Sequence, residues 1–202
     1  QAVDVTAKRC EALGHQIIEA TPPADLDYDG FVDAHSQVLA ASIVVSVDQR
    51  LALLGRSLRP DDLEPAMRDG YEFGKTISAA QYIAAINRFH AMGRIMDACL
   101  AGVDVLMTPT LVQLPAPLGE LAMLGSFKDF RRKMSRYSTF LAIVNASGQP
   151  AASLPTYWTA DMLPVGTQIV GRFGREDMLL QLAAELERSG AWQSMLPGGP
   201  NP

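Results

Sequence analysis

Apolar residues recur at helical spacing from the start of the chain. Val3, Ala7, Cys10 and Leu13 fall at i, i+4, i+7 and i+10, one face of a 3.6-residue helix. Gly14 predicts its end. His15 to Ala20 then reads as a short strand, stopped by Thr21-Pro22-Pro23. From Asp29 to about Leu54 the chain is rich in Ala, Val and Leu and reads as a long helix, although Ser42 to Val47 carries β-branched residues. Pro60 to Pro65 reads as a turn and helix start, its acids suited to the positive end of a helix dipole. Ser78-Ala79-Ala80-Gln81 has the form of a capping box. Tyr82, Ile86, Phe89, Gly93, Met96 and Leu100 give the following helix an apolar stripe that ends at Gly102.

The second half continues the alternation. Val103 to Thr108 reads as a strand closed by Pro109, which has no N–H with which to extend a ladder. Thr110 to Ser126 is loop. Phe127, Phe130, Met134, Tyr137, Leu141 and Val144 predict one amphipathic helix ending near Gly148. Ala151 to Leu154 and Val165 to Gly171 read as strands joined by a turn around Thr159-Ala160-Asp161. Arg175 to Arg188 is a helix with Leu179, Leu182, Ala183 and Leu186 inward, and the tail Pro197 to Pro202 is disordered by composition. Helices interleaved with strands place the chain in the α/β class. With no internal repeat and no clear linker, one domain over residues 1–196 is the simplest account.

Composition narrows the choice. The 202 residues are 48% hydrophobic and 19% charged, which excludes a disordered chain. Seventeen basic residues against 22 acidic ones give −5, leaving no electrostatic case for nucleic acid or an anionic membrane. The longest apolar stretch, Val38 to Val47, is about ten residues, whereas a membrane span needs roughly 20. No signal peptide is visible, and Cys10 and Cys99 lie far apart without a CxxC. Neither a disulfide framework nor a zinc site is suggested, and a cytoplasmic setting is expected. The chain opens on Gln1 and enters a helical pattern without a capping residue, which reads as a piece of something longer.

Candidate chemistry is sparse. Gly70 to Thr76 (Gly-Tyr-Glu-Phe-Gly-Lys-Thr) has three residues between its glycines, where a phosphate loop needs four. It reads as a plain helix and turn. No GxGxxG and no GxSxG occurs, and Gly171-Arg-Phe-Gly174 is a strand-to-helix turn. His15, His35 and His90 share no metal-ligand spacing. Cys10 and Cys99 sit on apolar helix faces as small hydrophobes, and none of Lys8, Lys75, Lys128 and Lys133 stands beside a nucleophile. Lys128, Arg131, Arg132, Lys133 and Arg136 put five positive charges into nine residues. A solvated helix face is the plain reading of them, and an anion-recruiting rim the sharper one. No catalytic constellation is legible.

Four blocks in order resemble the C-terminal part of the amidase signature family of serine hydrolases: Asp104 to Thr110, Phe140 to Pro155, Leu163 to Arg172 and Glu176 to Glu187. Cys10-Glu-Ala-Leu-Gly-His15 fits the same register. The resemblance implies an α/β/α fold with a mixed β-sheet core flanked by helices, present here in part. It implies amide hydrolysis through a serine nucleophile, a second serine and a neutral lysine base, without a metal or other cofactor. That machinery belongs to a Gly/Ser-rich stretch absent from this sequence, so no catalytic residue is assigned. By the same resemblance Thr108, Pro109, Tyr137, Ser138 and Phe140 are candidate walls of the substrate pocket. Asp161-Met162 stands where the family usually has Asp-Gly. A carboxylate of the tRNA-dependent amidotransferase subunit would align near Ser138, and its absence favours a general amidase.

The expected protein is therefore the C-terminal portion of an amidase acting on a small-molecule carboxamide or acylamide, inactive as this piece alone. Exposed apolar surface should promote homo-oligomers or association with the missing N-terminal part. The rivals are a non-catalytic α/β binding or assembly module, marked by a closed sheet covered on every face, and a glutamine-dependent tRNA amidotransferase subunit.

Overall fold

In a computed structural model, residues 1–23, 25–190 and 192 are described. The tail expected to be disordered lies outside them. They contain seven helices and three strands, forming two compact units. Unit 1 takes residues 1–22, 97–111 and the chain from 148 onward; unit 2 takes 23–96 and 112–147.

Unit 1 is built on an antiparallel sheet in the order β1-β3-β2, with β1 Val105–Pro109, β2 Ala151–Trp158 and β3 Pro164–Gly171. The α/β class is as expected, and all pairings among the described strands are antiparallel. One sheet face carries Val105, Met107, Ala152, Leu154 and Ile169. They pack with Cys10 of α1 (Ala2–Ala12) and with Leu179, Leu182, Ala183 and Leu186 of α7 (Glu176–Arg188), the inward set expected of that helix. β2 changes register between Leu154 and Tyr157, the stretch containing Pro155, which has no N–H for the ladder.

Three threonine hydroxyls close a triangle inside this core. Thr6 Oγ1 lies 2.6 Å from Thr156 Oγ1 and 2.9 Å from Thr167 Oγ1, and the latter two are 3.0 Å apart. All three residues are buried, and Thr6 is held a third way, its hydroxyl donating to Ala2 O. Thr156→Val strands part of this network and should cost about 1–2 kcal/mol. Replacing all three by valine removes the unmet partners together. Urea denaturation should therefore show the triple variant losing much less than the sum of the single ones.

His15 to Ala20 is not a strand. No strand among the described residues pairs with it, Ile18 is 63% exposed, and only Ile17 touches the core. The β2–β3 connection is tighter than expected: Thr159 N–H donates to Leu163 O at 3.0 Å and Thr159 Oγ1 accepts from Leu163 N–H at 3.0 Å. Met162, φ 61°, is the only described non-glycine residue in the left-handed region, and it stands at the position noted above for its missing glycine. A side chain costs about 1–2 kcal/mol there. Met162→Gly should raise the melting temperature by a few degrees, since each kcal/mol is worth about 2–4 °C at this size.

Unit 2 is helical. α2 (Tyr28–Leu54) buries Phe31, Val32, Ala34 and Ala40 and runs against α3 (Pro65–Lys75). By length and composition α2 could cross a membrane, with mean hydropathy 1.4 over its best window, little of which is buried. Glycines set the approach of α3: an added Cβ on Gly70 would meet the Phe127 ring, and one on Gly74 the backbone of Ala40. The glycine-rich stretch around residue 70 is thus helix–helix packing. α4 (Ala79–Cys99) starts on the expected capping box, Ser78 N–H donating to Gln81 Oε1 at 2.9 Å and Gln81 N–H to Ser78 Oγ at 3.2 Å. Its buried positions are Ala85, Met92 and Met96; Tyr82 is 39% exposed, so the stripe is rotated from the expected one at its first turn.

The single helix expected over 127–144 is two, α5 (Phe127–Tyr137) and α6 (Thr139–Ser147). Ser138 leaves helical geometry at φ −117°, ψ 36°. Its hydroxyl donates to Met134 O at 2.9 Å while Thr139 Oγ1 donates to Ser135 O at 3.1 Å. Adjacent side-chain hydroxyls thus compete for the carbonyls of the last α5 turn.

Candidate functional site

Opposite the apolar core, the sheet of unit 1 presents hydroxyls and an amide. Thr108 is registered against Gln168, whose Nε2 donates to Thr108 Oγ1 at 3.0 Å. One pleat on, the Thr110 and Ser153 hydroxyls share a 2.7 Å hydrogen bond, and Thr110 N–H donates to Gly166 O at 3.3 Å. Gly166 leaves room for that pair, since a Cβ there would stand 2.7 Å from Thr110 Oγ1. Side chains alternate across a strand, so Pro109 shares the parity of Val105 and Met107. Of the two expected wall residues on β1, Thr108 alone lies on the polar face. Gln168, Ser153 and Thr110 were missed. The signal was available: Gln168 precedes the core residue Ile169 and must face away from it.

Tyr137, Ser138 and Phe140 fall in unit 2, at the α5–α6 break. Tyr137 O accepts from Val112 N–H at 3.4 Å, and Tyr137 lines a cleft of about 450 Å³ with Arg132, Arg136 and Leu121. Ser138 spends its hydroxyl on Met134 O, and Phe140 is partly buried in the first turn of α6. The structure therefore makes neighbours of Tyr137 and Ser138 and leaves Thr108 and Pro109 in the other unit.

The basic cluster divides. Arg131 turns inward, its Nη2 donating to His35 Nδ1 at 2.9 Å, while its Nε is buried without an acceptor. His35 stacks on Phe31 at 5.6 Å and meets Phe89 edge-on at 5.7 Å. Burial first, and then the Arg131 charge, lower the His35 pKa to about 4, so it is a neutral acceptor at pH 7. Burial likewise pulls the Arg131 pKa down. Among the described residues no serine hydroxyl is hydrogen-bonded to a lysine or histidine, and no group of three metal-ligating side chains occurs. The Cys10 thiol is buried and pushed up by burial and by Glu185, which keeps it unreactive.

A family model described as Amidase matches residues 1–180. The chain belongs to the amidase family. It is 33% identical over 200 residues to 6-aminohexanoate-cyclic-dimer hydrolase of Paenarthrobacter ureafaciens, an alignment taking 95% of this chain and 40% of that protein. The enzyme of the same name from Pseudomonas sp. (strain NK87) is 32% identical over 200 residues, with the same coverage. A solved structure of 6-aminohexanoate cyclic dimer hydrolase matches at TM-score 0.88 and 29% identity, over 98% of this chain and 42% of that one. A bacterial aryl acylamidase of the amidase signature family shares the fold at TM-score 0.72 and 21% identity, over 95% of this chain and 40% of that one. This amidase chain thus spans about two fifths of the length of these relatives. Both the hydroxyl face and the α5–α6 break lie inside the amidase match.

Proposed function

We propose that the chain is the C-terminal portion of an amidase that hydrolyses a carboxamide or acylamide to a carboxylic acid and an amine. The serine nucleophile, relay serine and lysine base come from a preceding segment of the same protein. The observation carrying this reading is a family match over residues 1–180 in a chain only 40% as long as its 33%-identical relative. It is supported by two of the four lysines. Lys75 pairs with Glu72 and lies over the Tyr71 ring, and Lys133 donates to the Glu120 carbonyl. It is supported too by exposed apolar residues such as Leu53, Leu118 and Leu180, which suit packing against more chain or a second copy. Tyr137, Ser138 and Phe140 are then the residues that unit 2 contributes to substrate binding in a cytoplasmic enzyme. A cyclic amide of 6-aminohexanoate is the first substrate to try, because two relatives are named for hydrolysing that dimer.

The test compares the 202-residue chain with a longer form carrying its natural upstream segment. Both are incubated with 6-aminohexanoate cyclic dimer and with hexanamide. The longer form should release acid and react with a fluorophosphonate probe, and the shorter one should do neither. Hydrolysis or serine labelling in the shorter chain alone overturns the proposal.

A further inference from the structure

The cleft beside α5 in unit 2 shares Tyr137 with the proposed substrate-binding residues, but its two guanidinium groups have no part in the amide-hydrolysis reading. Arg132 and Arg136 are one turn apart on α5, roughly 6 Å, and both line it. Both side chains are exposed, and neither guanidinium has a hydrogen bond or ion pair among the described residues. Lys133 is tied to the Glu120 carbonyl, and Asp129 accepts from the Ser126 hydroxyl at 2.7 Å. The lining holds three cations, Arg132, Lys133 and Arg136, against two carboxylates, Glu120 and Asp129. It is therefore net +1 (3 − 2) in a chain of net −5. Guanidinium groups present paired donors that match the two oxygens of a carboxylate. Val112, Leu121 and Tyr137 line the same cleft.

We propose that this cleft binds a carboxylate bearing a short apolar chain, the guanidinium groups of Arg132 and Arg136 holding the carboxylate and Val112, Leu121 and Tyr137 covering the hydrocarbon. Arg131 takes no part, being turned toward His35. An inorganic anion would satisfy the charges and leave Val112, Leu121 and Tyr137 uncovered. A neutral amide of the same length would cover them and leave both guanidinium groups unpaired.

Isothermal titration of the 202-residue chain with hexanoate, hexanamide and inorganic phosphate separates these cases without any turnover. The outcome is thus read apart from the amidase proposal. Hexanoate should bind saturably in the millimolar range, weaken in high salt, and exceed both hexanamide and phosphate by about tenfold or more. Arg132→Gln/Arg136→Gln should lose about tenfold or more in hexanoate affinity with an unchanged far-UV spectrum. Should that variant misfold, Arg132→Lys/Arg136→Lys keeps the charge, removes the paired donors, and should still bind several-fold more weakly. The proposal falls if hexanoate does not saturate, if hexanamide or phosphate binds as well, or if a folded variant retains wild-type affinity.

Discussion

Gly74→Ala should lower the unfolding free energy by about 2–3 kcal/mol, a large fraction of what holds a domain together. A Cβ at this position would lie 2.7 Å from the carbonyl carbon of Ala40 and 2.7 Å from Val44 Cγ2. The obstacle is chiefly helix backbone, which has no rotamer to escape into, so α2 and α3 must separate. Alanine's better helix propensity returns about 1 kcal/mol, and the overpacking penalty has to exceed it. Gly70→Ala is the internal control. Its Cβ would meet Phe127 Cδ2 at 2.6 Å, but an aromatic ring can tilt, and the loss should be smaller. Urea titrations of the two variants decide the matter. A Gly74→Ala protein as stable as wild type, or more stable than Gly70→Ala, would show that the α2–α3 contact is looser than described.

The second large effect is on the pH dependence of stability. His35 has a folded-state pKa of about 4 against an ordinary value near 6.5. Between those values the unfolded chain binds the proton and the folded one resists it, so stability falls as pH drops through that window. At most about 1.4 kcal/mol is lost per pH unit, on the order of 3 kcal/mol in all. The loss is complete near pH 4. Burial of the ring is the larger cause of the resistance and the Arg131 charge the second. The ring is stacked on Phe31, and its Nδ1 accepts from Arg131, so a proton there would replace a hydrogen bond with two adjacent cations. His35→Asn should be less stable at neutral pH and nearly flat from pH 6.5 to 4.5, above the ordinary carboxylate range. A variant with the wild-type slope in that window would assign the titration to other groups.

Local signals were read well wherever the local sequence alone decides the geometry. The Ser78–Gln81 box, Pro65 at the head of α3 and the inward leucines of α7 all appear as expected. What failed depended on partners distant in sequence. His15 to Ala20 has strand-like residues, but a strand exists only where another can pair with it. The α5–α6 break was hidden because the apolar spacing continues through Ser138, while its cause is hydroxyl competition at two neighbouring positions. The family resemblance suggests Thr108, and Tyr137 just ahead of a quoted block, as pocket walls, and it suggests nothing of Gln168 and Ser153 inside the blocks. The Arg131–His35 contact joins positions 96 residues apart, and neither residue carries a local cue to the other.

Unit 1 has an order of synthesis written into its connectivity. Its central strand, β3, is the last of the three to be made, and Leu106 must wait for Val170 before it can pair. Until then β1 has emerged without the strand it pairs with, residues 112–147 of unit 2 and β2 lying between the two along the chain. Such long-range closure slows folding and prolongs the exposure of apolar surface. A nascent chain stalled before residue 164 should therefore be a ready substrate for chaperones and proteases, and truncations from the C-terminal side should be tolerated only down to the end of the helix that covers β3.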